Sequence, residues 1–172
     1  DDRLAGPLSA SPEMASLNMG SMNFALYPMA DRYKQWKYDW EEGYLRGSDQ
    51  NIFRNTFRDI ALILESCKAN GTRFELECYD VGHLYNLAHI VDNGWIEPPF
   101  FIQTIFGVLG GIGPDPENLL HMVRQIPKEF PWSVCSVGAS EYPMVAMGLV
   151  MGGNVRVGFE DNIYLNPGVP AK

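Results

Sequence analysis

The sequence predicts an α/β fold built on a parallel sheet, and three observations carry that expectation. Short β-rich runs alternate with longer helical patterns, the runs are apolar on both parities, and the helical patterns at 51–69 and 83–94 each stop at an Asn-Gly pair. Strands without a polar face belong in sheets covered by helices, which is where parallel strands occur. With 172 residues, 46% hydrophobic and 20% charged, the chain has the composition of a globular domain with a sizeable core.

Taken in order, EMASLN (13–18) is the first strand. After a polar and aromatic stretch, Ile52, Phe53, Phe57, Ile60, Ala61 and Leu64 recur at spacings of three and four, predicting a helix from about Asn51 to Ala69. RFELECYD (73–80) is the second strand, HLYNLAHIVDNG (83–94) a helix, and FFIQTIFGVLGG (100–111) a third strand running into glycines. Asp115 and Pro116 supply an N-cap and first-turn proline for a helix through Ile126. WSVCSVG (132–138) and NVRVGF (154–159) are the fourth and fifth strands, separated by a helix over Tyr142 to Met151, and the order is β(αβ)4.

Two architectures fit. An open doubly wound sheet is complete with five strands, whereas a (β/α)8 barrel, the TIM-barrel architecture, takes about 250 residues. The ends favour the barrel, because DDRLAGPLSA reads as the tail of a helix and loop and YLNPGVPAK stops in a loop after a strand. The expectation is one domain over residues 1–172 that supplies strands four to eight, with about three βα units before residue 1 and an inserted loop at 26–50.

Thirteen basic against twenty-one acidic residues give a formal charge of −8, which opposes binding to nucleic acid or an anionic membrane. Cys67, Cys78 and Cys135 are odd in number, far apart and set in apolar runs, so neither a disulfide framework nor a CxxC metal site is indicated. No window reaches the ~18 apolar residues of a membrane span, and the start lacks a signal-peptide pattern. A cytoplasmic protein is expected. In YKQWKYDWEEGY (33–44) the acidic residues disfavour base stacking on the aromatics, so the stretch reads as a subunit contact or a lid, and a homo-oligomer is expected. Met144, Met147 and Met151 have helical spacing and read as core.

Working groups in parallel α/β folds sit at the carboxyl ends of strands. There the sequence places Ser16, Asn18 and Ser21, then Glu75, Glu77 and Asp80, then Gln103, then Ser136 and Ser140, and finally Arg156, Glu160 and Asp161. Alternation puts Glu75 and Glu77 on one face, and Arg156 on the parity of Glu160 if the last strand stays extended that far. A guanidinium inside a barrel is costly unless carboxylates surround it, and Glu77 and Asp161 are the candidates. A structural ion network at the barrel mouth fits this pattern as well as a catalytic one.

The stretches SPEMASLNMGSMNF (11–24), FELECYDVGHL (74–84), FIQTIFGVLGGIG (101–113), WSVCSVG (132–138) and NVRVGFEDNIYL (154–165) together resemble the β-keto acid cleavage enzymes, a family of zinc-dependent barrels. The resemblance runs over nearly the whole chain apart from Leu26 to Gln50. It implies exchange of acyl groups between a β-keto acid and acetyl-CoA, giving acetoacetate and a new acyl-CoA. By the same resemblance Glu160 matches the metal-ligating carboxylate, and Asp161 with Arg156 the pair that deprotonates the keto acid. Glu77 matches the carboxylate that orients this pair, with Glu75 as an alternative, and Ser16 the group that holds the substrate carboxylate, with Asn18 beside it.

A metal bound to both oxygens of the keto acid stabilises the enolate, and a carboxylate held beside an arginine sets the proton transfer. Zn2+ or another divalent metal is therefore implied, yet one carboxylate does not hold zinc. The family's HxH pair is absent from this chain, and His83, His89 and His121 are poorly spaced to replace it, so the histidine ligands are expected upstream. Two segments invite a phosphate-binding reading for CoA, GVLGGIGPDP (107–116), for which a plain tight turn is the alternative, and SVGASEYP (136–143), which is preferred because it leaves strand seven of the expected barrel. The rival functions are a metal-dependent aldolase or hydrolase on the same barrel, and a catalytically silent assembly subunit.

Overall fold

The computed structural model describes residues 2–171. Its elements are α1 (Ala5–Ala10), β1 (Met14–Asn18), β2 (Met22–Asn23), α2 (Asp39–Arg46), β3 (Ile52–Phe53), α3 (Phe57–Lys68), β4 (Arg73–Cys78), α4 (Val81–Asp92), β5 (Phe101–Phe106), α5 (Pro116–Val123), β6 (Trp132–Ser136), α6 (Glu141–Val150), β7 (Asn154–Val155), β8 (Tyr164–Asn166) and β9 (Val169–Pro170). Strands β1, β4, β5, β6 and β7 form one parallel sheet whose spatial order follows chain order. A doubly wound sheet reverses its order at a switch point, and this one does not. The fold is α/β with a five-stranded parallel sheet, consistent with part of a (β/α)8 barrel; among the described residues the sheet is open, with β1 and β7 at its edges.

One face of the sheet is apolar. Leu17, Leu76, Cys78, Ile102, Phe106 and Val134 pack against Ile60, Leu84, Leu87, Ile90, Leu119, Met122, Met144 and Val145 of the helices in a single cluster. Met147 and Met151 pack on its margin, as their spacing suggested. All three cysteines are free and buried. Alternation then assigns Ser16, Asn18, Glu75, Glu77, Gln103, Ser133 and Cys135 to the opposite face, so the strands are not apolar on both parities as expected, and the register sets Asn18, Glu77, Gln103 and Ser133 side by side.

Local chemistry moves several boundaries. The helix expected from Asn51 starts at Phe57, because Thr56 and Asp59 form a capping box in which each side chain accepts the other's backbone N–H, at 2.9 and 3.2 Å. Ile52 and Phe53 instead pair antiparallel with Asn23 and Met22. Asp115 occupies the N-cap position of α5 without a side-chain cap bond, and α5 ends at Val123 before Ile126. The expected third strand stops at Phe106, and the glycines beyond it form a loop. The stretch from Leu26 to Gln50 holds a 3-10 turn at Tyr27–Arg32 and helix α2, with Tyr38 exposed at its N-cap and Trp40 and Tyr44 exposed along it.

The glycine loop is fastened to its neighbours backbone to backbone. Ala25 N donates to Leu109 O at 3.1 Å and Ile112 N to Tyr79 O at 2.7 Å. A β-carbon on Gly110 would lie 1.8 Å from the Asn23 carbonyl oxygen, and one on Gly111 would lie 2.7 Å from that of Tyr79. These glycines answer to close packing, which supports the tight-turn reading of the segment over a phosphate cradle. Gly110 also has φ +113°, so Gly110→Ala is expected to destabilise the fold by more than the ~1–3 kcal/mol of backbone strain alone, measured by urea denaturation.

Candidate active site

Strand β7 is short, and its brevity builds the site. Val155 pairs with Val134, and Arg156 N still donates to Val134 O at 3.0 Å, so the arginine side chain leaves on the face that carries Cys135. The strand does not run on to Phe159 as expected. Asp161 N and Asn162 N both donate to Gly158 O, at 3.0 and 2.9 Å, and this turn brings Glu160 and Asp161 back over Arg156. Glu160 therefore reaches the arginine through a turn and not through extended alternation.

The guanidinium collects three carboxylates. Arg156 Nε donates to Asp161 Oδ2 at 3.0 Å and Nη2 to Asp161 Oδ1 at 3.1 Å, a two-pronged pair, while Nη1 donates to Glu77 Oε1 at 3.5 Å and Nη2 also reaches Glu160. The Glu77 and Asp161 side chains are 9% and 6% exposed, whereas that of Glu160 is 83% exposed, so two of the carboxylates are buried and one faces solvent. Ser16, on the neighbouring strand opposite Glu75, lies near enough to Glu77 to act on its carboxyl, and Asn18 is buried opposite Glu77 in the register. The structure thus brings together Ser16, Asn18, Glu77, Arg156, Glu160 and Asp161, all six of the residues singled out from sequence for these roles.

Burial, and next the neighbouring Glu75 carboxylate, push the Glu77 carboxyl up to about 7, against the pull of Arg156 and of the Ser16 hydroxyl. Glu75, half-buried, is raised by burial too. Two further residues share this face without having been singled out. Tyr79 lies two residues beyond Glu77 on the same parity, and burial raises its phenol, with Glu77 adding to the effect, so it stays a neutral donor. Burial likewise raises the Cys135 thiol, which reaches Asp161. Their signal in the sequence was parity alone, which does not separate a lining residue from a packed one.

Other polar groups at the strand ends have structural partners. Asp80 caps α4, accepting from Gly82 N at 3.1 Å, and Ser21 accepts from Asn55 N at 2.8 Å. Ser136 and Ser140 bond each other at 2.7 Å, and Ser140 donates to Val137 O at 2.9 Å. Gln103 is buried with its Nε2 unpartnered, next to Glu77 in the register.

The histidines serve packing. His83 Nδ1 accepts from Tyr79 N at 3.2 Å, and burial lowers its pKa, so it is held neutral between α4 and the chain after β1. His89 touches Asn93, Phe57 and Trp95 on the surface, and His121 is exposed on α5. Among the described residues no group of three His, Cys, Asp or Glu stands together as a metal site. The described residues therefore do not make up a zinc site by themselves, and Glu160 is the most exposed carboxylate of the arginine cluster. No helix among the described residues is long and apolar enough to cross a membrane.

A family model described as beta-keto acid cleavage enzyme matches residues 1–172. A 3,5-dioxohexanoate:acetyl-CoA acetone transferase of Paraburkholderia graminis is 53% identical over 171 residues, covering 97% of this chain and 55% of that protein. A 3-keto-5-aminohexanoate cleavage enzyme of Acetoanaerobium sticklandii is 34% identical, covering 100% and 55%. A 3-dehydrocarnitine:acetyl-CoA trimethylamine transferase of Rhizobium meliloti is 29% identical, covering 97% and 48%. The chain spans about half the length of the curated relatives it matches.

The raised Glu77 carboxyl has a consequence that needs no substrate. Folded, the group keeps its proton up to about pH 7; unfolded, it releases it near the ordinary glutamate value of 4.5. The folded state binds the extra proton in that window, so stability falls as pH rises from about 4.5 to about 7, by ~1.4 kcal/mol for each pH unit crossed. In Glu77→Gln this fall is expected to shrink to the smaller part that the raised Glu75 carboxyl contributes, which denaturation midpoints at pH 5 and pH 8 in both proteins would reveal; an unchanged pH slope would refute the assignment.

Proposed function

Because the chain belongs to the beta-keto acid cleavage enzyme family, we propose that it carries the proton-transfer machinery of an enzyme that joins a β-keto acid to acetyl-CoA and releases acetoacetate and a new acyl-CoA. The observation that carries this reading is Asp161 held two-pronged by Arg156 at the carboxyl end of a parallel sheet, with Glu77 behind them. In a complete enzyme the five strands are strands four to eight of a (β/α)8 barrel, residues 1–172 belong to one domain, and 26–50 is an insertion. The open edges at β1 and β7 and the half-length match support that architecture. The exposed aromatics of α2 suit a contact between copies, and the chain is read as cytoplasmic and homo-oligomeric.

In this reading Ser16 and Asn18 hold the carboxylate of the keto acid. Asp161 Oδ takes the proton from the carbon between ketone and carboxylate, and Arg156 balances the charge that passes to the enolate. Glu77 fixes the far side of the guanidinium, so that its Nε and Nη2 edge stays turned to Asp161. The carbanion attacks the thioester carbonyl of acetyl-CoA, the CoA thiolate leaves and re-adds at the former ketone, and retro-Claisen cleavage frees acetoacetate. Zinc or another divalent metal would supply Lewis acidity to the enolate, with Glu160 as this chain's contribution to its coordination. A 3,5-dioxo acid is the substrate class favoured here, because the relative at 53% identity is named for 3,5-dioxohexanoate.

Asp161→Asn is expected to keep the bound metal and to lose solvent deuterium exchange at C2 of the β-keto acid, whereas Glu160→Gln loses metal and activity together. Metal analysis and mass spectrometry of the keto acid in deuterated water, on the full-length protein, decide it. Wild-type exchange in Asp161→Asn would overturn the base assignment, and retained metal in Glu160→Gln would overturn the ligand assignment.

A further inference from the structure

The turn that carries Glu160 and Asp161 has to be held from outside the arginine cluster, since Arg156 grips only its side chains. Its backbone is fastened at one point: Gly138 N donates to Asp161 O at 2.7 Å. The next residue, Asn162, is fastened through its side chain. Asn162 Nδ2 donates to Glu141 Oε2 at 2.9 Å and to Tyr164 O at 3.0 Å, and Asn162 Oδ1 accepts from Tyr164 N at 3.0 Å. Tyr142, following Glu141, donates its hydroxyl to Tyr164 O at 3.2 Å. The first turn of α6 thus clasps the chain immediately after Asp161.

Glu141 is an unusual choice for a clasp. It is 3% exposed, and its Oε1 has no hydrogen-bond partner. A buried carboxylate with one idle oxygen is costly, and the positive end of the α6 dipole offsets only part of that cost. Such violations of polar satisfaction concentrate at functional sites. The same acid makes the start of α6 unsuited to a phosphate, which argues against the second of the two CoA phosphate readings.

We infer that Glu141 is a positioning residue: through Asn162 it sets the turn that presents Glu160 and Asp161 to the mouth, an inference that rests on the base role proposed for Asp161. Misplacing such a carboxylate by about 1 Å costs on the order of 10²-fold in rate with substrate binding little altered. Glu141→Ala in the full-length protein is therefore expected to lower kcat for C2 deuterium exchange roughly that much at unchanged KM. Glu141→Gln keeps an acceptor for Asn162 and should stay close to the wild-type rate. Asn162→Asp sets two carboxylates face to face and should be as slow as Glu141→Ala, while Glu141→Gln combined with Asn162→Asp restores an amide-carboxylate pair with the donor on the other side and should recover rate.

Amide hydrogen exchange of the same proteins provides a readout that needs no catalysis. The Gly138 and Asp161 amides should lose protection in Glu141→Ala and Asn162→Asp and regain it in the double variant, with the Leu76 amide of β4 unchanged in all. If the wild type shows no C2 exchange, the base role fails while the amide pattern still decides whether Glu141 holds the turn. Equal protection of Gly138 in wild type and Glu141→Ala overturns the inference, as does a Glu141→Gln rate as low as that of Glu141→Ala.

Discussion

One guanidinium set among three carboxylates governs how this molecule is arranged around its mouth. With Glu77, Glu160 and Asp161 all ionised, one positive charge faces three negative ones, and two of those carboxylates are almost wholly out of water. Such an assembly is tolerated only if one carboxyl keeps its proton or if a further cation joins it. The elevation of Glu77 toward neutrality is the first solution, and the exposed position of Glu160 leaves room for the second. The proton on Glu77 and the net charge of this cluster are therefore thermodynamically linked.

The placement of these charges follows from the sheet. Parallel strands in sequential order put all carboxyl ends at one rim, and strict alternation separates an apolar face under the helices from a polar face opposite. Glu75 and Glu77 are carried inward by the same parity that carries Leu76 and Cys78 outward. Arg156 arrives from the far edge because β7 stays in register with Val134 just long enough to aim it. The parity of β4 and the brevity of β7 are therefore two halves of one construction.

Much of this was legible in the sequence. Alternating strand and helix patterns gave the α/β class, and an arginine in an apolar run called for buried carboxylates of the kind found at Glu77 and Asp161. What was not legible depended on interactions periodicity does not encode. The run from Ile52 matched a helical spacing, but the Thr56–Asp59 capping box decided the start. The end of the last strand was set by a turn on the Gly158 carbonyl, so the extension on which the shared parity of Arg156 and Glu160 depended does not occur. Glu141 gave no signal, because an acid in a first helical turn is ordinary until its burial is known.

The contact of Gly110 on Asn23 and of Gly111 on Tyr79 has a consequence for how such a mouth changes over evolutionary time. In many barrels the loops at the carboxyl rim vary independently, and each samples new chemistry without disturbing the others. Here the loop after β5 is seated on the main chain that follows β1 and β4, with no side chains between to absorb a shift. A substitution that re-shapes one loop is transmitted directly to the main chain that follows Ser16 and Asn18. Change in one loop therefore calls for matching change in its neighbours, and a single loop grafted here arrives without the main chain it is seated on.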